Sequence, residues 1–130
     1  TSGDWDVDQR MPANLLHSLV EYTTIEVDPR ERVVPLASAD VFDARFGYIA
    51  GHRLVQFTGA ERANFERFVR GGGFVLADDC NHDIDGLFAR SFESQMAAIF
   101  GPAAQREDAL LSYIIGISPS SAYFSMIKVV

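Results

Sequence analysis

FTGAERANFERFVRGGGFVLADDCNHDID, residues 57–85, is the stretch on which the architecture turns. Thr58 followed three residues later by Glu61 is a capping box, which satisfies amide hydrogens that the first helical turn cannot pair internally. Phe65, Phe68 and Val69 then share one face of the predicted helix, and Arg62, Glu66 and Arg67 share the other. Gly71 closes this helix, expected in the left-handed conformation. Phe74, Val75, Leu76 and Ala77 follow as a continuous apolar run, the pattern of a strand buried on both faces. An acidic loop then begins abruptly and carries the sole cysteine, Cys80. In an open α/β sheet, the position just beyond the carboxyl end of a strand is where ligands and chemistry gather.

Elements on either side fit the same scheme. Pro12 opens a first helix at a position that needs no amide hydrogen, with Leu15, Leu16, Leu19 and Val20 forming its apolar stripe. Residues 24–28 alternate and stop at Asp28-Pro29, so they read as a strand. Residues 32–36 are a second extended piece, which Pro35 places at an edge or in a connection. Residues 46–50, FGYIA, form a buried strand ending in Gly51-His52. A last helix runs from about Phe88 to Phe100 with Phe88, Phe92, Met96 and Ile99 on one face, and Gly101-Pro102 stops it. The order helix, strand, strand, helix, strand, helix predicts one α/β domain over residues 1–130, a mainly parallel sheet between helices.

The first strand of such a domain is missing from this order. Either a strand precedes this sequence, or the β-prone tail fills the slot by pairing residues 125–130 with residues 74–77 or 47–50. Between Ala109 and Val130 the only charged side chain is Lys128, yet Gly116, Pro119 and three serines interrupt the apolar run, so it is no membrane-spanning helix. Segments 112–117 and 122–130 are β-prone and need covering, by the sheet or by a second copy, so a homodimer through residues 109–130 is expected.

Bulk properties narrow the partners. The chain has 130 residues, room for a single core. A net charge of −7 argues against nucleic acid and anionic membranes, which need clustered Lys and Arg. One cysteine leaves no internal disulfide framework. The opening TSGDWDVD is acidic and polar and does not read as a signal peptide.

Three readings of the candidate site stand side by side. In the first, Asp4, Trp5, His52, Asp78, Asp79, Cys80 and His82 line a non-catalytic crevice for a small polar molecule, a saccharide or a protein partner. In the second, Cys80 is a nucleophile with His52 as base, at the place where α/β hydrolases carry theirs. The flanking Asp79 and Asn81 stand where glycines normally form that elbow, and Asp78 and Asp79 disfavour a thiolate by like-charge repulsion. In the third, Asn81, Asp83 and Asp85 before Gly86 follow the first half of a calcium loop. The closing glutamate would be due at Phe92, and Glu93 is one residue late. Cys80 and His82 are zinc-type donors. No cofactor is expected beyond such a calcium or zinc ion. Gly71-Gly72-Gly73 is not a phosphate cradle, since those loops follow a strand and open a helix, and this one does the reverse.

With GDWD at residues 3–6, YIAGH at 48–52, GGGFVLADDCN at 71–81 and RSFESQMAAIF at 90–100, the chain resembles the bacterial domain of unknown function 4159 family. The likeness covers residues 3–101 and leaves 102–130 as an unmatched tail. It implies a class I glutamine amidotransferase-like, flavodoxin-type three-layer αβα sandwich. It also implies an exported or membrane-tethered bacterial protein with no established activity. Cys80 matches the amidotransferase nucleophile by position alone, because the partner histidine and glutamate have no counterpart in this sequence.

Overall fold

The computed structural model describes residues 4–81, 85–102, 123–124 and 126–129. It is a mixed α/β domain with a small parallel sheet and three helices: α1 (Met11–Tyr22), β1 (Glu26–Val27), β2 (Arg32–Val34), β3 (Phe46–Gly51), α2 (Gly59–Arg70), β4 (Phe74–Asp79), α3 (Leu87–Phe100), β5 (Tyr123–Phe124) and β6 (Met126–Val129). A 3₁₀ turn at Ala39–Asp43 leads into β3.

The main sheet has the order β2-β6-β3-β4, and every neighbouring pair is parallel. The carboxyl-terminal strand therefore lies inside the sheet. Phe46 aligns with Met126 and Tyr48 with Lys128 on one side of β6, and Arg32 aligns with Ile127 on the other. Of the two pairings considered for the tail, the one with β3 is present. β5 pairs separately with β1, Glu26 against Tyr123. Residues 109–122, which carry most of the expectation of self-association, lie outside the described residues.

Alternation along β3 separates the core into two clusters, because successive side chains of a strand point to opposite faces. Phe46, Tyr48 and Ala50 pack with Leu16 of α1. Ile49 points the other way and joins Phe65 of α2 with Phe88 and Met96 of α3. All six residues of β3 are buried, as expected of a strand with neighbours on both sides. Residues 74–77 are only half-buried, against the expectation of a strand buried on both faces, because β4 is an edge strand among the described residues. The phenylalanines expected to be core are core: Phe57, Phe65, Phe88 and Phe92 form a chain of ring contacts with centroids 5.4–6.5 Å apart.

Several local expectations need correction. In α1, Leu16 and Pro12 are buried but Val20 is 54% exposed, since α1 touches the sheet along only part of its length. The first strand is shorter than residues 24–28. The capping box is present in full: Glu61 accepts from the Thr58 amide at 2.6 Å and Thr58 Oγ1 accepts from the Glu61 amide at 3.3 Å. At the other end of α2, Gly71 has φ −77°, and the left-handed residue is Gly72 at φ 89°. Gly71, Gly72 and Gly73 donate to the carbonyls of Arg67, Val69 and Phe68, so the reversal takes one residue more than expected. Asp78 and Asp79 close β4 itself rather than beginning the loop after it. Among the described residues no helix is long and apolar enough to cross a membrane.

Gly73 is fixed by packing, because a methyl group there would overlap the Phe68 ring. Phe68 is 7% exposed and has little room to retreat. Gly73→Ala should therefore lower unfolding free energy by about 1–3 kcal/mol, the usual cost of overpacking. Urea unfolding would measure it, and an unchanged midpoint would contradict the packing argument.

Candidate functional site

Parallel pairing sends the carboxyl ends of β3 and β4 to one edge. Ala50 lies opposite Asp78 and Gly51 opposite Asp79. The ladder continues one step further, with the Cys80 amide donating to the Gly51 carbonyl at 3.3 Å. Strand alternation then divides the two carboxylates, Asp78 on the Tyr48 face and Asp79 on the other.

The segment before α1 closes onto this edge. Asp4 holds His52 twice, accepting from its backbone amide at 3.1 Å and contacting ring Nδ1 at 2.8 Å. Gly51 makes this approach possible, since a methyl group there would meet Asp4 Oδ1 at 3.1 Å and the Phe88 ring at 3.2 Å. Burial works to raise the Asp4 pKa, but the hydrogen bonds and charge of His52 outweigh it and hold the carboxyl below its ordinary value. Trp5, next in sequence, is 36% exposed at the surface.

On the other face, the fully buried Tyr48 ring ends in a hydroxyl that donates to Asp78 Oδ2 at 3.2 Å. Burial raises the Tyr48 pKa far above its ordinary value, and the charges of Asp78 and Asp8 add to this, so the phenol remains a donor. Asp79 is arranged differently. Its Oδ1 accepts from the Asn81 amide at 3.0 Å, and its Oδ2 is buried with no hydrogen-bond partner among the described residues.

Cys80 is half-buried, and its sulfur makes only a long contact, 4.0 Å, to the Asp78 carbonyl. Burial pushes the thiol pKa up, and Asp78, Asp8 and Asp79 push it the same way. No hydrogen bond joins Cys80 to a histidine among the described residues. The structure thus brings Asp4, His52, Asp78, Asp79 and Cys80 to one edge, with Trp5 adjoining. Asn81 starts the following turn, and Asp85 pairs with Arg90 at 3.5 Å near the start of α3. His82 and Asp83 lie outside the described residues. Among the described residues no group of three or more His, Cys, Asp or Glu side chains is arranged to hold a metal ion.

Two groups escaped the sequence reading. Asp8 extends the acidic alternation Asp4, Asp6, Asp8, and its charge reaches both Tyr48 and Cys80. Tyr48 lies within the buried run FGYIA, where a phenol demands a polar partner. Both signals were present in the residue types.

The Asp4–His52 contact carries a pH signature. A carboxyl with a lowered folded pKa contributes stability that is complete above its unfolded value near 3.8 and is lost as pH falls through the folded pKa. The stability gap between the chain and His52→Ala should therefore be wide at pH 6 and shrink below about pH 4. Paired urea titrations measure it, and a gap constant from pH 6 to pH 2.5 would contradict the assignment.

No curated protein matches this chain. The sequence pattern of a family described as "Domain of unknown function (DUF4159)" matches residues 1–109, from before Asp4 to beyond α3, and so takes in every element that shapes this edge. The chain belongs to the domain of unknown function 4159 family.

Proposed function

We propose that this chain is a non-catalytic ligand-binding domain on a class I glutamine amidotransferase-like, three-layer scaffold. Its site is the carboxyl edge of β3 and β4, and its ligand is a small polar molecule rich in hydroxyl or ammonium donors. The observation that carries this reading is Asp79 Oδ2, a carboxylate oxygen withdrawn from water with no donor among the described residues. Such an atom costs roughly 1–3 kcal/mol when left unmatched, and a donor on a ligand would remove that cost. Core clusters on both faces of β3 support the layered scaffold.

Charge selects the ligand class. Asp4, Asp8, Asp78 and Asp79 make the edge electronegative, which repels phosphates and carboxylates and favours donor groups. The amino end of α2 follows β3 and would be the natural anion site of such a sheet. Glu61 already occupies it, through its bond to the Thr58 amide. Trp5, next to Asp4 in sequence and partly exposed, supplies a flat apolar surface, and such a ring with acidic acceptors suits a sugar.

The raised thiol pKa argues against nucleophilic chemistry, because only the thiolate attacks. Cys80 should react with iodoacetamide at pH 7 more slowly than free cysteine. A rate above that of the free amino acid would favour a hydrolase instead.

Trp5 is the sole tryptophan and reports on its own site. Glucosamine, which combines hydroxyls with an ammonium group, should change its fluorescence saturably, and glucose 6-phosphate should do so far more weakly. Asp79→Asn and His52→Ala should each weaken the glucosamine response about tenfold, the value of one charge-assisted hydrogen bond. No saturable response to glucosamine, or one that survives both substitutions, would overturn the reading.

A further inference from the structure

A cavity of about 210 Å³ lies where β3 and β4 begin, lined by Phe42, Ala44, Arg45, Arg67, Phe68 and the glycine turn. Its floor is apolar, made by Phe68 against Gly73, and its charged lining residues are Arg45 and Arg67.

The nearby acids are engaged elsewhere: Asp43 pairs with Arg32 at 3.7 Å, and Glu66 with Arg70 at 2.8 Å. Among the described residues neither Arg45 nor Arg67 has a carboxylate partner. Arg67 lies over the Phe42 ring, its Cζ 4.3 Å from the centroid. An arginine held over an aromatic face keeps its N–H fork for a planar oxyanion. Two arginines with no carboxylate partner among the described residues line one cavity in a chain of net charge −7.

We infer that this cavity binds a small organic carboxylate, its oxygens on Arg45 and Arg67 and its apolar body against Phe42 and Phe68. Two features favour a carboxylate over inorganic phosphate. The amides of Gly71, Gly72 and Gly73 donate back to α2 carbonyls, so no nest of free N–H groups is left to wrap a phosphate. The apolar floor offers nothing to a fully hydrated ion but suits a ring or a short acyl chain. The cavity lies below the roughly 300–1,000 Å³ of sites for drug-sized ligands, which limits the occupant to a small acid. This inference does not depend on the ligand proposed for the other edge.

The test is a titration of the ¹⁵N-labelled chain with benzoate, benzyl alcohol and inorganic phosphate, followed by amide resonances. Benzoate should shift the signals of Arg45, Gly71 and Gly73 saturably, while those of Gly51, His52 and Cys80 stay in place. Arg45→Gln and Arg67→Gln should each weaken benzoate about tenfold or more. Arg67→Lys, which keeps the charge and the stem but loses the fork, should also weaken it. Both arginines are exposed, so none of these variants should change the remaining amide spectrum. The inference is overturned if benzoate gives no saturable shift there, if both Gln variants bind it unchanged, if benzyl alcohol binds equally well, or if phosphate saturates the site and benzoate does not.

Discussion

The six-residue parallel ladder between β3 and β4 is the constraint on which everything else in this molecule depends. Phe46 pairs with Phe74 at one end and Gly51 with Asp79 at the other, without a bulge or a slip. Parallel strands in register have both amino ends on one edge and both carboxyl ends on the opposite edge. A shift of one residue would turn every β4 side chain to the other face. It would separate Tyr48 from Asp78 and carry Asp79 Oδ2 away from its buried position.

That ladder also sorts charge. Carboxylates collect at the carboxyl edge, where Asp78 and Asp79 end β4 and Asp4 and Asp8 come in from the segment before α1. Arginines collect at the amino edge, where Arg45 precedes β3 and Arg67 sits in the last turn of α2. Arg67 and Arg70 also complement the negative end of the α2 dipole. The two ends of the ladder therefore differ in the charged residues that gather beside them.

Much of the architecture was legible because its signals are local. A capping box needs only residues 58 and 61, and the structure builds it as expected. The spacing of Phe88, Phe92 and Met96 marks the buried side of α3. Misreadings occurred where a neighbour from elsewhere in the chain decides the outcome. Val20 has the spacing of a core residue and is exposed, because among the described residues nothing packs over that part of α1. The left-handed residue is Gly72 instead of Gly71, since Gly71 still donates in helical fashion to the Arg67 carbonyl before the chain reverses.

Residue types and their order alone determined that this is an α/β domain with parallel strands, that β3 is a buried strand, and that a second strand, β4, leads directly to the lone cysteine. Tertiary structure decided which strand lies in the middle of the sheet. It placed β6 between β2 and β3, pairings across 80 residues of chain to β3 and 95 to β2 that no short-range pattern encodes. It also decided that Asp4 reaches His52, that Tyr48 serves Asp78, and that Arg45 and Arg67 share a cavity. Those are meetings between side chains distant in sequence. They exist because backbone hydrogen bonds set strand register, and register sets which groups arrive at the same edge.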